Sequence, residues 1–424
     1  MAKTHPVRFE KDLQYYKFCA YGFLKNLRFF EPFLILFLVE KGLSYLQIGT
    51  LYAVREVVTN LFEVPSGFFA DALGRRRTML AAFAFYIVSF LVFYLGNSWM
   101  VFVLAMCFFG MGEAARTGVH KAMIFEYLTR KGWADQKVHY YGHTRSWSQK
   151  GSAVSALIAA WIVFYRGEYQ TIFLFSTIPY VLDFILIASY PKFLDGERTE
   201  RQTQKIGEQF AALWRSFRAA FQSAETWRAV NNLSFFSGFF KAVKDYLQPI
   251  LKSLALSLPF FLWANDKERT ALLIGVVYFV IYLLTSAASK AAGKTSDYFS
   301  DLHIPLNISL LSGVVLAALS GVCVWLGWDW GAVLFFLFIF MLENLRKPIG
   351  VVFFSERIKS EIMASGLSAQ SQIQTIWAAL SAMMLGFFID YLGLGRGLVA
   401  VSLILVLALP FFWIRAGQTN PKKD

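Results

Sequence analysis

The feature that most constrains this chain is a series of apolar runs, each long enough to cross a lipid bilayer as a helix. One crossing takes about 20 residues at about 1.5 Å per residue. We place the runs at 17–39, 45–70, 78–96, 99–128, 138–165 and 169–190 and, after a polar interval, at 229–251, 270–290, 304–326, 331–356, 364–388 and 397–414. These runs predict an all-α polytopic membrane protein with twelve transmembrane helices.

The composition excludes several other classes of protein. Of the 424 residues, 57% are hydrophobic and 16% are charged, whereas a soluble domain carries about 25% charged residues. A transmembrane β-barrel would show alternating hydrophobicity rather than continuous apolar runs. Cys19, Cys107 and Cys323 all lie in apolar stretches, so they predict neither a disulfide framework nor a metal site. We therefore expect no cofactor, no nucleic-acid partner and no enzymatic activity.

The distribution of positive charge predicts the orientation in the membrane. If both termini are cytoplasmic, 24 of the 41 Lys and Arg residues lie on the cytoplasmic side and six on the opposite side. Positive charge in loops favours the cytoplasm, so we expect this orientation, with the net charge of +13 serving topology and contact with anionic lipids.

A polar interval, 191–228, divides the apolar runs into two sets of six. Apolar residues recur in it at helical spacing among charges, at Ile206, Phe210, Leu213, Phe217 and Phe221. This pattern favours an amphipathic helix lying on the membrane surface, and a solvated tether is the alternative. We predict an N-terminal half at 1–190, a cytoplasmic linker at 191–228 and a C-terminal half at 229–424.

The two sets of runs also resemble each other in sequence. Segment 22–28 aligns with 238–244 at an offset of 216, and further along the chain Glu113 aligns with Glu343 and Arg116 with Arg346 at an offset of 230. Ordered matches whose offset grows slowly indicate an internal repeat with loops of different length. We therefore predict two pseudo-symmetric six-helix halves of the same topology.

The loop after the second run, 67–77, reads GFFADALGRRR. It resembles the signature loop between helices two and three of the major facilitator superfamily. The resemblance implies the twelve-helix fold of that family and secondary transport. In the family this loop latches the two halves on the cytoplasmic side, which implies gating roles for Gly67, Asp71, Gly74, Arg75 and Arg77, with Glu126 as a partner. The alternative is that the arginines are only a topology signal.

Ten of the charged residues inside the first, fourth, seventh and tenth runs are notable. Each costs about 2.5–3.5 kcal/mol inside a bilayer, so they must contact one another or water. In the family that the chain resembles, these four helices line the substrate cavity. We therefore take the basic members as candidates for substrate binding and the acidic members as candidates for proton coupling: Lys25, Arg28, Arg116, Lys241, Lys244 and Arg346; and Glu31, Glu113, Asp245 and Glu343. The alternative is a structural ladder of ion pairs.

Together these observations predict a secondary active transporter that works by alternating access. Its expected substrate is a small organic anion or zwitterion, with a proton as the candidate coupling ion. The basic pairs on spans one and seven resemble those of organic-phosphate exchangers, which are antiporters. Proton-coupled efflux of amphipathic drugs or lipids is the alternative, and a membrane sensor that does not transport is a further one. We expect a monomer in contact with membrane lipids, in a bacterial inner membrane.

Overall fold

The computed structural model describes residues 9–133, 136–195, 224–299, 301–357 and 363–415. These residues form helices and short connections, without a strand in the described ranges. In the first half of the chain the helices are α1 (Leu13–Leu24), α2 (Leu34–Glu40), α3 (Tyr45–Leu73), α4 (Arg75–Leu95), α5 (Trp99–Arg116), α6 (Val119–Arg130), α7 (Lys137–Arg166) and α8 (Thr171–Ala188). In the second half they are α9 (Ala224–Val243), α10 (Leu247–Ser257), α11 (Asp266–Tyr298), α12 (His303–Trp325), α13 (Asp329–Arg357), α14 (Met363–Leu392) and α15 (Leu394–Phe412).

Every predicted apolar run overlaps one of these helices or a consecutive pair of them. Among the described residues, seven helical segments are long and apolar enough to cross a membrane by length and composition alone. The predicted all-helical fold class is confirmed.

The first and seventh runs are both interrupted near their middles. After α1 ends, a 3₁₀ turn at Glu31–Phe33 precedes α2, and after α9 a 3₁₀ turn at Lys244–Tyr246 precedes α10. Pro32 lies in the 3₁₀ turn that precedes α2, and Pro249 lies near the N-terminus of α10. Proline is tolerated there because the first amides of a helix have no intrahelical partner. Several of the charged candidates therefore lie at a break, where side chains and backbone groups can bind other partners.

The described residues divide into two compact units. Unit 1 holds the residues up to Glu31 and those from Val58 to Asp195, and unit 2 holds Pro32–Val57 and the residues from Ala224 on. In unit 1, α1 packs on α7, and α4 packs on α5 and α8. In unit 2, α9 packs on α14, and α12 packs on α13 and α15. These are the pairings expected of an internal repeat. The predicted linker at 191–228 stays a prediction, because residues 196–223 lie outside the described ranges.

Residues 32–57 belong to the first half of the sequence but pack within unit 2. The backbone N–H of Ile35 donates to Gln248 Oε1 at 2.8 Å. At the start of α3, the backbone N–H groups of Tyr45 and Leu46 donate to the two carboxylate oxygens of Asp390, each at 2.7 Å. A carboxylate at a helix N-terminus satisfies amides that have no intrahelical acceptor and interacts well with the helix dipole. Asp390 of α14 therefore caps α3.

Two glycines bring α3 and α14 into close contact below this cap. A Cβ on Gly49 would overlap the backbone carbonyl oxygen of Ala382, and a Cβ on Gly386 would overlap that of Tyr45. Small residues allow helix backbones to approach closely in membranes, where dispersion contacts drive helix association. The contact is therefore reciprocal, with one glycine on each helix.

We predict that Gly386→Ala lowers the stability of the detergent-purified protein by about 1–3 kcal/mol, because the added methyl group forces two backbones apart. The measurement is the thermal unfolding midpoint. The matched control is Gly293→Ala, since Gly293 is also helical in unit 2 and a Cβ there meets no atom within 4 Å. Equal midpoints for both variants would contradict the close contact.

Candidate functional site

Three of the predicted charged residues form one cluster in unit 1. Arg28 Nη2 lies 2.8 Å from Glu113 Oε1, and Arg116 Nη2 lies 2.6 Å from Glu113 Oε2. Arg116 also donates through Nε to the hydroxyl of Tyr86 at 3.0 Å. Glu113 and Arg116 meet because residues three apart share a helix face, and Arg28 comes from the break after α1. We call Arg28, Glu113 and Arg116 the triad.

A cavity of about 120 Å³ lies beside the triad, between α1, α6 and α7. Among the residues that the structure describes, its walls carry four cationic side chains and no carboxylate. The lining residues are Phe18, Tyr21, Gly22, Lys25, Arg116, Gly118, His120, Lys121, Ile124, Tyr141, Thr144, Arg145 and Ser148. Lys25 and Arg116 are residues that the sequence predicts for substrate binding. The cavity brings them together with Lys121 and Arg145.

The four cations of the cavity are not equally available. Arg116 already binds Glu113 in the triad. Lys121 Nζ lies over the ring of Tyr141, 5.6 Å from its centroid. Lys25 is half-buried, and its ammonium has no hydrogen-bond acceptor or carboxylate partner among the residues that the structure describes. A half-buried ammonium without a partner favours an anionic ligand, because burial weakens its hydration and strengthens Coulomb attraction.

One wall of the cavity is a polar aromatic stack. The ring of His120 lies parallel to that of Tyr21, with centroids 3.6 Å apart. His120 Nε2 is 3.3 Å from the hydroxyl of Tyr190. The side chain of His120 is therefore fixed between α1 and the residues that follow α8.

The charged candidates of unit 2 near the second break have acidic partners. Lys241 Nζ lies 3.0 Å from Glu56 Oε2, and Arg55 Nη2 lies 2.9 Å from Glu56 Oε1. Lys244 Nζ lies 3.0 Å from Asp245 Oδ1. Glu56 was not among the predicted site residues, although it is a carboxylate within an apolar run.

Glu343 and Arg346 occupy the positions in the repeat of Glu113 and Arg116, yet they do not pair. Glu343 accepts hydrogen bonds from the Ser237 hydroxyl, at 2.9 and 3.2 Å from its two oxygens. In the described part of the chain it has no cation within ion-pair distance. Ser237 on α9 therefore gives Glu343 an uncharged partner.

Arg346 is held by neutral oxygen atoms. Its guanidinium donates to the backbone carbonyl of Asn232 at 2.8 Å and to the Ser309 hydroxyl at 2.6 Å. It also donates to the side-chain oxygen of Asn232 and the carbonyl of Leu306. The guanidinium lies 5.0 Å from the ring centroid of Phe236. With this set of acceptors Arg346 is a buried anchor of unit 2.

The remaining proton-coupling candidate, Glu31, begins the 3₁₀ turn after the first break. It is half-buried, and its backbone N–H donates to the carbonyl of Arg28 at 3.1 Å. Its predicted role stays a prediction.

The predicted gating loop is a tight connection between α3 and α4. Gly74 has a φ of 100°, in the left-handed region that favours glycine. Arg75 Nη1 lies 3.7 Å from Glu126 Oε2, and Glu126 also binds Arg130 at 2.8 Å. The predicted Arg75–Glu126 partnership is therefore present within unit 1, and a role in gating stays a prediction.

The other members of the loop differ in what they contact. Arg77 is exposed, and a Cβ on Gly67 would meet no atom within 4 Å in the described structure. The side chain of Asp71 lies outside the described residues. Arg76, which had no predicted role, donates to the carbonyls of Ala188 and Tyr190, each at 3.2 Å. Arg76 thus binds the end of α8.

Comparison with known proteins identifies the relatives of this chain. The family model described as Major Facilitator Superfamily matches residues 18–382. A curated relative, the uncharacterized MFS-type transporter YxaM of Bacillus subtilis (strain 168), is 22% identical over 399 residues, which cover 94% of each chain. The sucrose permease of Escherichia coli is 26% identical over 275 residues, covering 58% of this chain and 64% of the permease.

Solved structures agree with this family in fold. A crystal structure of a mutant of the nucleoside transporter NupG superposes with a TM-score of 0.73 at 12% identity, covering 94% of this chain and 99% of the other. Such a match shows the fold alone. The family resemblance of the loop at 67–77 is confirmed, and so is the fold. Family and homologues point to a multi-pass membrane transporter rather than an enzyme.

We predict that Glu113→Gln destabilises the protein by on the order of 3 kcal/mol, because it leaves two arginines of the triad without a counter-charge. The measurement is the thermal unfolding midpoint in detergent. The matched control is Glu343→Gln, which keeps an acceptor for Ser237 and leaves no cation unpaired, so its cost should be about 1 kcal/mol or less. A Glu343→Gln cost as large as that of Glu113→Gln would contradict these assignments.

Proposed function

The chain belongs to the major facilitator superfamily, and from this premise we propose that it is a secondary active transporter of a small organic anion or zwitterion. We further propose that it works by alternating access, the rocking of two halves about a site near the middle of the membrane. Lys25 and Arg116 are the proposed substrate-binding residues, with Lys121 and Arg145 added from the cavity lining.

The observation that carries this proposal is the charge of the unit 1 cavity. Among the described residues, four cations and no carboxylate line it, and Lys25 is a half-buried cation without a protein partner in those ranges. A buried cation is stable when an anion neutralises it. Glu113 neutralises Arg116 in this way, and an anionic group of the substrate would do the same for Lys25. A lysine binds such a group as a point charge, without the bidentate geometry of arginine.

The contacts also narrow the candidates for proton coupling. Glu113 binds two arginines and Asp245 binds Lys244, so both carboxylates already have positively charged partners. Glu343 is buried, and its contact is the neutral hydroxyl of Ser237. A buried carboxylate without a cation in contact takes up a proton most readily. We therefore propose Glu343 as the proton-coupling residue of unit 2, and Arg28 and Arg346 as structural rather than substrate-binding.

A neutral solute is the second candidate substrate, because one curated relative is a sucrose permease. A sugar would use hydroxyl and amide groups for binding and would not need the four cations.

We also propose that both termini lie on the cytoplasmic side, because that orientation places most of the Lys and Arg residues of the loops in the cytoplasm.

We predict that small anionic metabolites, and neither neutral sugars nor cationic amphiphiles, raise the apparent unfolding temperature of the detergent-purified protein. A ligand that binds the folded state at 100 times its dissociation constant adds about 2.7 kcal/mol of stability. The measurement is a thermal-shift screen against mono-, di- and tricarboxylates, phosphorylated metabolites, amino acids, sucrose, nucleosides and cationic amphiphiles.

The screen is repeated with Lys25→Gln, which should abolish the shift given by anions. The control is Lys252→Gln, since Lys252 is an exposed lysine of unit 2 and its loss should leave the shift unchanged. Stabilisation by sucrose or by amphiphiles that persists in Lys25→Gln would contradict the anion proposal.

A further inference from the structure

One buried acid of unit 1 has no part in the function proposed so far. Asp183 lies on α8, and its exposed fraction is 0%. Neither of its carboxylate oxygens has a hydrogen-bond donor among the residues that the structure describes. Glu113, the acid of the triad in the same unit, is by contrast bound by two arginines.

The electrostatic surroundings of Asp183 come from several elements. Two cations act on it, Lys25 of α1 and Arg116 of α5. In the described part of the chain, no charged group of α4 or α7, which also pack on α8, acts on it. The phenols that interact with it are those of Tyr21 on α1, Tyr180 on α8 and Tyr190 beyond the end of α8.

Of the two cations, Lys25 is the one that is available. Arg116 is held by the triad, whereas Lys25 has no acceptor in the described ranges. Lys25 and Tyr21 both line the cavity, and both act electrostatically on Asp183. Asp183 is therefore within electrostatic reach of the cation that the proposed substrate would bind, on a helix that packs on α1.

The ionised form of Asp183 is unfavourable in this arrangement. Burying an ionised carboxylate that accepts no hydrogen bond is much less favourable than burying the neutral acid. Ionisable residues inside membrane proteins are costly in this way and are retained for function, often in proton pathways.

We propose that Asp183 is a second proton-binding site of this protein, neutral in the conformation described here and coupled to Lys25. When Asp183 holds a proton, the Lys25 ammonium is left to bind an anion in the cavity. When Asp183 is ionised, its carboxylate neutralises Lys25 and competes with that anion. Protonation and anion binding then favour each other, and a proton and an anion travel together. The coupling to anion binding rests on the proposed function, and the proton site at Asp183 does not.

The test of the proton site is infrared spectroscopy of the purified, full-length protein, with the proton itself as the probe. At neutral pH the protein should show the carbonyl-stretch band of a protonated, buried carboxylic acid. Labelling the aspartates with carbon-13 at the side-chain carboxyl should shift the band, which separates it from the glutamates, including Glu343. Asp183→Asn should remove the shifted band.

The stability of Asp183→Asn gives an independent readout. Asparagine is a neutral isostere of the protonated acid, so the unfolding midpoint should stay within a few degrees of that of the wild type. Absence of an aspartic acid band in the labelled wild-type protein would overturn the proposal, and this measurement needs no variant. A variant that loses as much stability as Glu113→Gln, or fails to fold, would also count against it.

The coupling to Lys25 is tested by titrating the same band. Lys25 favours the ionised form of Asp183, so Lys25→Gln should retain the band to higher pH than the wild type, whereas Lys252→Gln should leave its titration unchanged. An unchanged titration in Lys25→Gln would overturn the coupling. The thermal-shift screen and the infrared test are independent. If no anion shifts the unfolding temperature, the proposed substrate is refuted, but the infrared band would still establish the proton site.

Discussion

The structure of this protein depends on how it accommodates charge inside an apolar environment. Each unpaired charge in a membrane-spanning segment costs about 2.5–3.5 kcal/mol, and the described helices contain many. The triad of unit 1 meets this constraint with one carboxylate between two arginines, at 2.8 and 2.6 Å. Because Arg28 lies in the break after α1 and its partner Glu113 lies on α5, the ion pair also holds the end of α1 against α5.

The two units meet the same constraint in different ways, although their sequences repeat. In unit 1 the Glu–Arg motif of span four forms an ion pair. In unit 2 the corresponding Arg346 binds neutral oxygens of Asn232 and Ser309, which leaves Glu343 with a serine hydroxyl. The same Glu–Arg motif therefore has different partners in the two units. In the described ranges, unit 1 has a half-buried cation without a protein partner, Lys25, and unit 2 has a buried acid without a cation in contact, Glu343.

The sequence predicted the fold well because apolar runs, breaks and loops are local features. The runs at 45–70 and 270–290, for example, correspond to α3 and α11. The alternative interpretation, a structural ladder of ion pairs, fits Glu113 and Arg116, since a spacing of three places both on one helix face, but it does not fit Glu343 and Arg346. The sequence did not predict that Glu56 binds Lys241 or that Asn232 holds Arg346, because these contacts join residues far apart in the chain. The signal available for them was a polar residue inside an apolar run, which marks a buried contact without naming its partner.

Asp183 is a second case in which the sequence marks a buried polar residue without showing its surroundings. In the sequence it is one acid in an apolar run without a counterpart in the repeat. The structure adds that it is fully buried, that its oxygens have no donor in the described ranges, and that Lys25 acts on it. The same lysine is therefore central to both proposals, as the cation that an anionic substrate and an ionised Asp183 would share.

The most direct test of anion transport that depends on Lys25 is uptake into proteoliposomes that contain the purified protein. Radiolabelled anionic metabolites and radiolabelled sucrose are compared under an inwardly directed proton gradient, with the wild type and Lys25→Gln side by side. We predict that at least one anion accumulates in wild-type vesicles, that Lys25→Gln abolishes its uptake, and that sucrose does not accumulate. Uptake of sucrose, or uptake of an anion that Lys25→Gln leaves unchanged, would contradict it.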